Sequence, residues 1–346
     1  MKLDNHSSAT SRDTPIMPTK PLDSFSRDSL YVVEWIDEVA IANLHDPRDC
    51  VAQKMLQYCH DIVGGGGDLD FDTSELQSGF DFYLGVAHQG MTTGQFYVGI
   101  CYLQGISEDI APNHAQAFEF LTRASNRYHV GGHYGLAECY ARGWGTPGGK
   151  DYEKALELYH RAASQGHAGA FYALATFYLH GYGMAEKNVE TAIGYLKKAA
   201  NKNLGKAHHL LGKYYLTGEA SEWIKQDVDI AKVCFETSLQ HGFKPALYTL
   251  ALLHYHGYGS TISQDFPLAV KYLHEAASPE VNIAEAQWKL GCCHAHGIGG
   301  IEKNLSNALE WYLQASKPRQ NEDGELEQNS QAVLGLALFC VLNGHW

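Results

Sequence analysis

One seven-residue pattern returns along most of this chain: a small residue, two large apolar residues at +3 and +4, and a small residue at +7. It reads Ala117, Phe120, Leu121, Ala124, then Ala155, Leu158, Tyr159, Ala162, then Ala192, Tyr195, Leu196, Ala199. It returns as Ala269, Tyr272, Leu273, Ala276 and as Ala308, Trp311, Tyr312, Ala315, with weaker copies at Ala231, Cys234, Phe235, Ser238 and Gly79, Phe82, Tyr83, Val86. The last position steps through 86, 124, 162, 199, 238, 276 and 315, a period of 37 to 39 residues. The spacing i, i+3, i+4, i+7 puts four residues on one stripe of a helix, here named helix B. A fixed period of this size predicts stacked units, each supported by its neighbours, rather than one closed globule.

Four residues before each leading alanine stands Asn113, Asp151, Asn188, Asp227, Asp265 or Asn304. Side-chain oxygens at these places can accept hydrogen bonds from the free N–H groups of a first helical turn. Ahead of the caps lie glycine turns, among them Gly143-Trp144-Gly145, Gly181-Tyr182-Gly183, Gly257-Tyr258-Gly259 and Gly297-Ile298-Gly299. A glycine past a helix end permits the left-handed conformation that satisfies the last carbonyls, so a second helix, helix A, ends before each turn. Helix A carries a small column (Gly99, Ala137, Ala175, Gly212, Ala251, Gly291) and, three residues later, Tyr102, Tyr140, Tyr178, Tyr215, His254 and His294.

The string HYGLAECYARGWGTPGGKDYEKALELYHRAASQGH at 133–167 resembles the Sel-one-like repeat family. The family pattern is roughly A-x-x-x-L-G-x-x-Y-x-x-G-x-G, then D-x-x-x-A, then Y-x-x-A-A-x-x-G, and the likeness runs from about residue 91 to 320. Gly218-Glu219-Ala220 and Thr237-Ser238 depart from it. The resemblance implies an all-α, right-handed superhelical solenoid of about six regular helix pairs with atypical terminal units. It also implies helix A along a concave wall, and adaptor roles in which the chain holds a protein or peptide.

The expected organisation is a disordered tail at 1–28 and acidic capping helices with a degenerate first repeat at 29–90. Repeats follow at 91–320, then an acidic loop and a closing helix at 321–346. The formal net charge of −13 argues against a nucleic-acid partner. Residues 21–90 hold 13 acidic and 3 basic side chains, either a solvated face or a docking face for a basic partner. No apolar run reaches the roughly 20 residues of a membrane helix, and no secretory leader is apparent. Cys101, Cys139 and Cys293 take a helix-A place that Phe177, Tyr214 and Leu253 fill elsewhere. That interchange predicts buried, reduced thiols and a cytoplasmic or nuclear setting.

The expected function is a non-catalytic scaffold without a cofactor, binding a protein or peptide on its concave wall. The candidate contact residues are Ile100, Glu138, Thr176, Lys213, Leu252 and Cys292, one place after the small column. A second column, Phe96, Tyr134, Tyr172, His209, Tyr248 and Trp288, reads as packing between repeats. Two alternatives stay open. One is a zinc-binding or enzymatic protein using His254, His256, His294 and His296, which occupy matching places in adjacent repeats. The other is a self-assembling structural protein joined through its acidic start and incomplete finish. The glycine run 64–67 lacks the lysine and hydroxyl residue of a phosphate loop, and no His-Glu-x-x-His or Gly-x-Ser-x-Gly motif occurs.

Overall fold

The computed structural model describes residues 73–105, 110–183, 185–219, 224–258, 261–320, 326–327, 333 and 336. The expectations for the tail at 1–28 and for the part of the acidic capping helices that precedes residue 73 lie outside these residues. So does most of the closing helix, of which Val333 and Leu336 are described as helical.

Thirteen helices and one short strand pair make up the elements of the described residues. Helix α1 (Thr73–His88) precedes six pairs. These are α2 (Thr92–Gln104) with α3 (His114–Asn126), α4 (Val130–Arg142) with α5 (Tyr152–Ser164), and α6 (Ala168–His180) with α7 (Val189–Ala200). Then come α8 (Gly205–Thr217) with α9 (Val228–Gln240), α10 (Ala246–His256) with α11 (Phe266–Ala277), and α12 (Ala284–His296) with α13 (Leu305–Ala315). Each helix packs mainly on the one before and the one after it, the contact pattern of a solenoid. Where the repeats give way to the acidic loop, β1 (Arg319–Gln320) pairs antiparallel with β2 (Leu326–Glu327).

Six equivalent clips hold the pairs together. Every helix B starts on its Asp or Asn cap, whose side chain accepts from the N–H of Gln116, Lys154, Thr191, Ile230, Leu268 or Asn307 at 2.9–3.1 Å. The caps' own N–H groups donate to the carbonyls of Tyr102, Tyr140, Tyr178, Tyr215, His254 and His294 at 2.7–2.9 Å. One polar residue therefore both starts helix B and ties it to the last turn of helix A. The short return from helix B to the next helix A passes through a left-handed residue: Gly90, Tyr128, Gly166, Asn203, Gly242 or Asn282.

Between the helices the core runs along the chain. Ala155, Ala162, Leu121, Leu196, Leu273 and Phe235 have no exposed surface, and Tyr159 is 2 % exposed. The small column of helix A faces the second large residue of its own helix B. A methyl added to Gly99 would lie 2.7 Å from Leu121, one on Gly212 2.8 Å from Phe235, and one on Gly291 2.6 Å from Tyr312. Ser238, where alanine is the rule, is fully buried and donates its hydroxyl to the Gly205 carbonyl at 2.8 Å. The departure from the pattern is thus satisfied internally.

The second glycine of the turn has a different task. Gly145, Gly183 and Gly299 dock on the first residue of the preceding helix B, His114, Tyr152 and Phe266 respectively. Trp144 stacks on His114 there at 4.9 Å, and Tyr182 stacks on Tyr152 at 4.9 Å. The glycine turn is therefore a joint between repeats as well as a helix stop.

Candidate functional site

The partly exposed face of the helices A is a stripe at i, i+4 and i+7 or i+8: Tyr134, Glu138 and Arg142 on α4, and Tyr172, Thr176 and Leu179 on α6. It continues as His209, Lys213 and Leu216 on α8, Tyr248, Leu252 and Tyr255 on α10, and Trp288, Cys292 and His296 on α12. Five of the six predicted contact residues, Glu138, Thr176, Lys213, Leu252 and Cys292, lie within this stripe, and they differ in what they leave free.

Ile100 is 4 % exposed and belongs to the core, so it offers no surface to a partner. Glu138 accepts the buried Tyr159 hydroxyl at 2.6 Å and pairs with Arg142 at 3.1 Å. Burial, and next the Glu138 charge, hold the Tyr159 phenol well above its ordinary range, so it remains a donor. Cys292 occupies the matching place and accepts the Tyr312 hydroxyl at 3.4 Å. Helix B has tyrosine rather than leucine or phenylalanine at these two places, and the neighbouring column residue supplies the acceptor. The Thr176 hydroxyl donates back to the Tyr172 carbonyl at 3.2 Å. Lys213 is exposed and its side chain has no hydrogen bond or ion pair among the described residues, and Leu252 is half-buried with part of its apolar surface open.

The aromatic column packs across the joints between repeats and remains partly open. Phe96 packs on His129 at 4.7 Å, Tyr134 stacks on His167 at 4.5 Å, and His209 meets Phe243 at 5.1 Å. His129 and His167 also start α4 and α6, their Nδ1 atoms accepting from the N–H of Gly132 at 3.0 Å and Ala170 at 3.2 Å. Sequence reasoning missed these histidine caps, because histidine is not a usual capping residue. Their matching places before two helices A were the available signal. His209 also joins α8 to α10 through Nε2 and the Thr249 hydroxyl at 2.9 Å. Burial, and then Lys213, depress its pKa to about 4.

The four-histidine cluster is not assembled. His254 lies against Tyr272 of its own pair at 6.0 Å, and His294 meets His274 at 6.5 Å. His256 and His296 are exposed at the ends of their helices. The Nδ1 atoms of His254 and His294 are buried without a hydrogen-bond partner. Burial depresses both imidazoles, with Lys232 adding to the effect at His254. The helix-A place they share faces helix B, so adjacent repeats carry them side by side in the packing rather than around one point. No group of three or more His, Cys, Asp or Glu among the described residues is arranged to hold a metal ion.

An open depression of about 820 Å³ lies beside the start of α5, lined by Phe118, Thr122, Tyr140, Lys150, Asp151 and Lys154 among others. Its Lys154 is paired with Asp151 at 3.0 Å and sits over the Tyr140 ring, so the cation is already engaged. Cys101, Cys139 and Cys293 are buried to 1 % exposure or less, and all five described cysteines are unpaired. Burial, with Glu138 next to it, pushes the Cys139 thiol up to about 12, and burial with Cys292 pushes Cys293 up to about 11. Neither is an activated nucleophile.

The family model of the Sel1 repeat matches residues 92–129, 131–167, 170–204, 205–243, 244–278 and 284–317. The chain belongs to the Sel1 repeat family. Sel1 repeats generally mediate protein–protein interactions and are typically non-catalytic. Among solved structures, the chain is similar to a Sel1 repeat protein from Oxalobacter formigenes. The identity is 21 %, covering 69 % of this chain and 93 % of that one, with a TM-score of 0.59. It is also similar to c5321, a protective antigen of uropathogenic Escherichia coli with this repeat fold, at 18 % identity over 92 % of this chain and 68 % of that one, TM-score 0.40. A third is immunity protein Pa5087 from Pseudomonas aeruginosa, at 18 % identity over 73 % and 83 %, TM-score 0.43. The likeness to the Oxalobacter protein is one of fold. No curated protein matches the sequence. None of the described helices is long and apolar enough to cross a membrane.

Proposed function

We propose that this Sel1 repeat protein is a non-catalytic adaptor, and that the face built by its helices A is a concave wall that binds a protein or peptide segment. The observation that carries this reading is the unused part of the stripe. Lys213 and Leu252 sit on consecutive helices A, flanked by the half-buried aromatics His209, Tyr248 and Tyr255; the lysine forms no ion pair among the described residues, and the leucine keeps part of its apolar surface open. Half-buried aromatics with a central aliphatic residue are the composition of an interface core, where a few large side chains carry most of the binding energy. The helices B offer a different surface. Glu119 with Arg123, Glu157 with Arg161, and Lys232 with Glu236 pair along their own helices, as on a solvated face. A cytoplasmic setting goes with this reading and is supported by the five unpaired thiols.

The test is affinity capture from native extract with three baits: the wild-type chain, Leu252→Arg, and Glu190→Lys as a change on the exposed face of α7. Partners lost from Leu252→Arg and kept by the other two are the expected result. Partners that survive Leu252→Arg and vanish with Glu190→Lys contradict the proposal. Circular dichroism melts of all three baits separate loss of binding from loss of folding.

A further inference from the structure

We propose that the helix-A face of α8, α10 and α12 is a cationic strip that accepts an acidic peptide segment of a partner protein. This rests on the helix-A face being the binding surface, and it adds the chemistry of what binds. The chain as a whole has 39 acidic and 26 basic side chains, so a surface with the opposite balance needs a reason. Helices α8, α10 and α12 carry Lys206, Lys213 and Lys289 against a single carboxylate, Glu285. All five ion pairs among the described residues lie elsewhere, on α3, α4, α5 with its cap, and α9. Glu285 stands four residues before Lys289, a spacing that ordinarily gives a helical ion pair. Lys289 forms none, and its ammonium lies 4.0 Å from the centre of the Tyr255 ring on the preceding helix A. Its charge is thus laid across the seam between α10 and α12.

The second cation, Lys213, stands one turn after His209 on α8. His209 is held by Thr249 of α10, which fixes the seam between those two helices as well. Two seams, each beside a lysine that forms no ion pair among the described residues, flank Tyr248, Leu252 and Tyr255 of α10; Glu285 is the one carboxylate of these helices and acts on Tyr248. The neighbouring imidazoles His209 and His256 are depressed by burial and by these lysines, so near neutral pH the positive charge resides on the ammonium groups. An extended segment with carboxylates on either side of an apolar residue matches that order of charges and gains attraction without displacing an existing ion pair.

The experiment selects a random dodecapeptide library displayed on phage against the full chain, then measures the enriched peptides by fluorescence anisotropy as synthetic, labelled probes. The expected result is a set of peptides rich in Asp and Glu. Their affinity falls roughly tenfold or more for Lys213→Glu/Lys289→Glu, a change set by two reversed charges at the contact. It also weakens as salt rises. The same peptides lose binding to Leu252→Asn, a change without charge at the apolar contact, and both variants melt like the wild type. Enriched peptides that are neutral or basic, or acidic peptides indifferent to the double lysine variant, overturn the acidic assignment. If those peptides still depend on Leu252, the wall itself stands. Enrichment insensitive to both variants, or no enrichment at all, overturns both readings.

Discussion

Replacing Gly145 and Gly149 by alanine, one at a time, separates the two tasks given to glycine in this fold. Both residues lie in the turn between α4 and α5, and both are left-handed, at φ 66° and 76°. A methyl on Gly149 would meet nothing within 4 Å. A methyl on Gly145 would collide with the His114 carbonyl, 2.6 Å from its carbon and 3.0 Å from the Phe118 Cβ. The left-handed conformation costs a non-glycine residue about 1–2 kcal/mol, offset by about 0.4–1 kcal/mol from the stiffer unfolded chain. Gly149→Ala is therefore expected to destabilise by about 0.5–1 kcal/mol. At Gly145 the backbone of α3 cannot yield, so the turn must lift away. That movement surrenders the Trp144–His114 stack, worth about 1 kcal/mol, together with its buried apolar surface. Gly145→Ala is expected to cost about 3 kcal/mol or more. Urea unfolding followed by circular dichroism measures both, and hydrogen exchange locates the loosened joint between α3 and α4. Equal losses for the two variants would refute the reasoning, because the second glycine would then serve backbone conformation alone.

Further outcomes follow from the same contacts. Asn188→Ala removes the cap of α7, bonded to Thr191 at 2.9 Å, and is expected to cost about 1 kcal/mol in urea unfolding, while Asn188→Asp costs little. His209, with its pKa depressed to about 4, favours folding only while neutral. Its contribution is present above its unfolded value of about 6.5 and is lost as pH falls from there towards 4, up to about 3 kcal/mol. His209→Gln, which keeps a donor for Thr249, is expected to flatten that part of the stability profile between pH 7 and 4. Thiol labelling read by peptide mass mapping is expected to spare Cys139 and Cys293 in the native chain and to reach them only in denaturant, because burial keeps them protonated.

The repeat architecture was legible because its determinants are local and periodic. A cap such as Asp151, a stop such as Gly143 and a stripe such as Ala155 to Ala162 each act within one or two turns, and repetition in register removes coincidence. Side-chain engagement was less legible, since it depends on which residue stands opposite. Glu138 and Cys292 look like surface positions until Tyr159 and Tyr312 are seen to donate to them. Ile100 shares their column but is buried in the core. The histidine pairs invited a metal reading because their places match between repeats. Those places face helix B, so stacking sets them in a row against Tyr272 and His274 instead of around a cation. The lysine without an ion pair was hidden for the same reason: Glu285 precedes Lys289 at ideal spacing, and only the structure shows Lys289 turned to Tyr255.

The central claim is that partners are held by the helix-A face and not by the helix-B face. Hydrogen–deuterium exchange of the full chain, alone and saturated with a captured partner or selected peptide, tests it directly. Added protection is expected in the helices A alone, centred on α8 and α10 around Lys213 and Leu252. Protection centred on the outer faces of α5, α7 and α9, with the helices A unchanged, would contradict it.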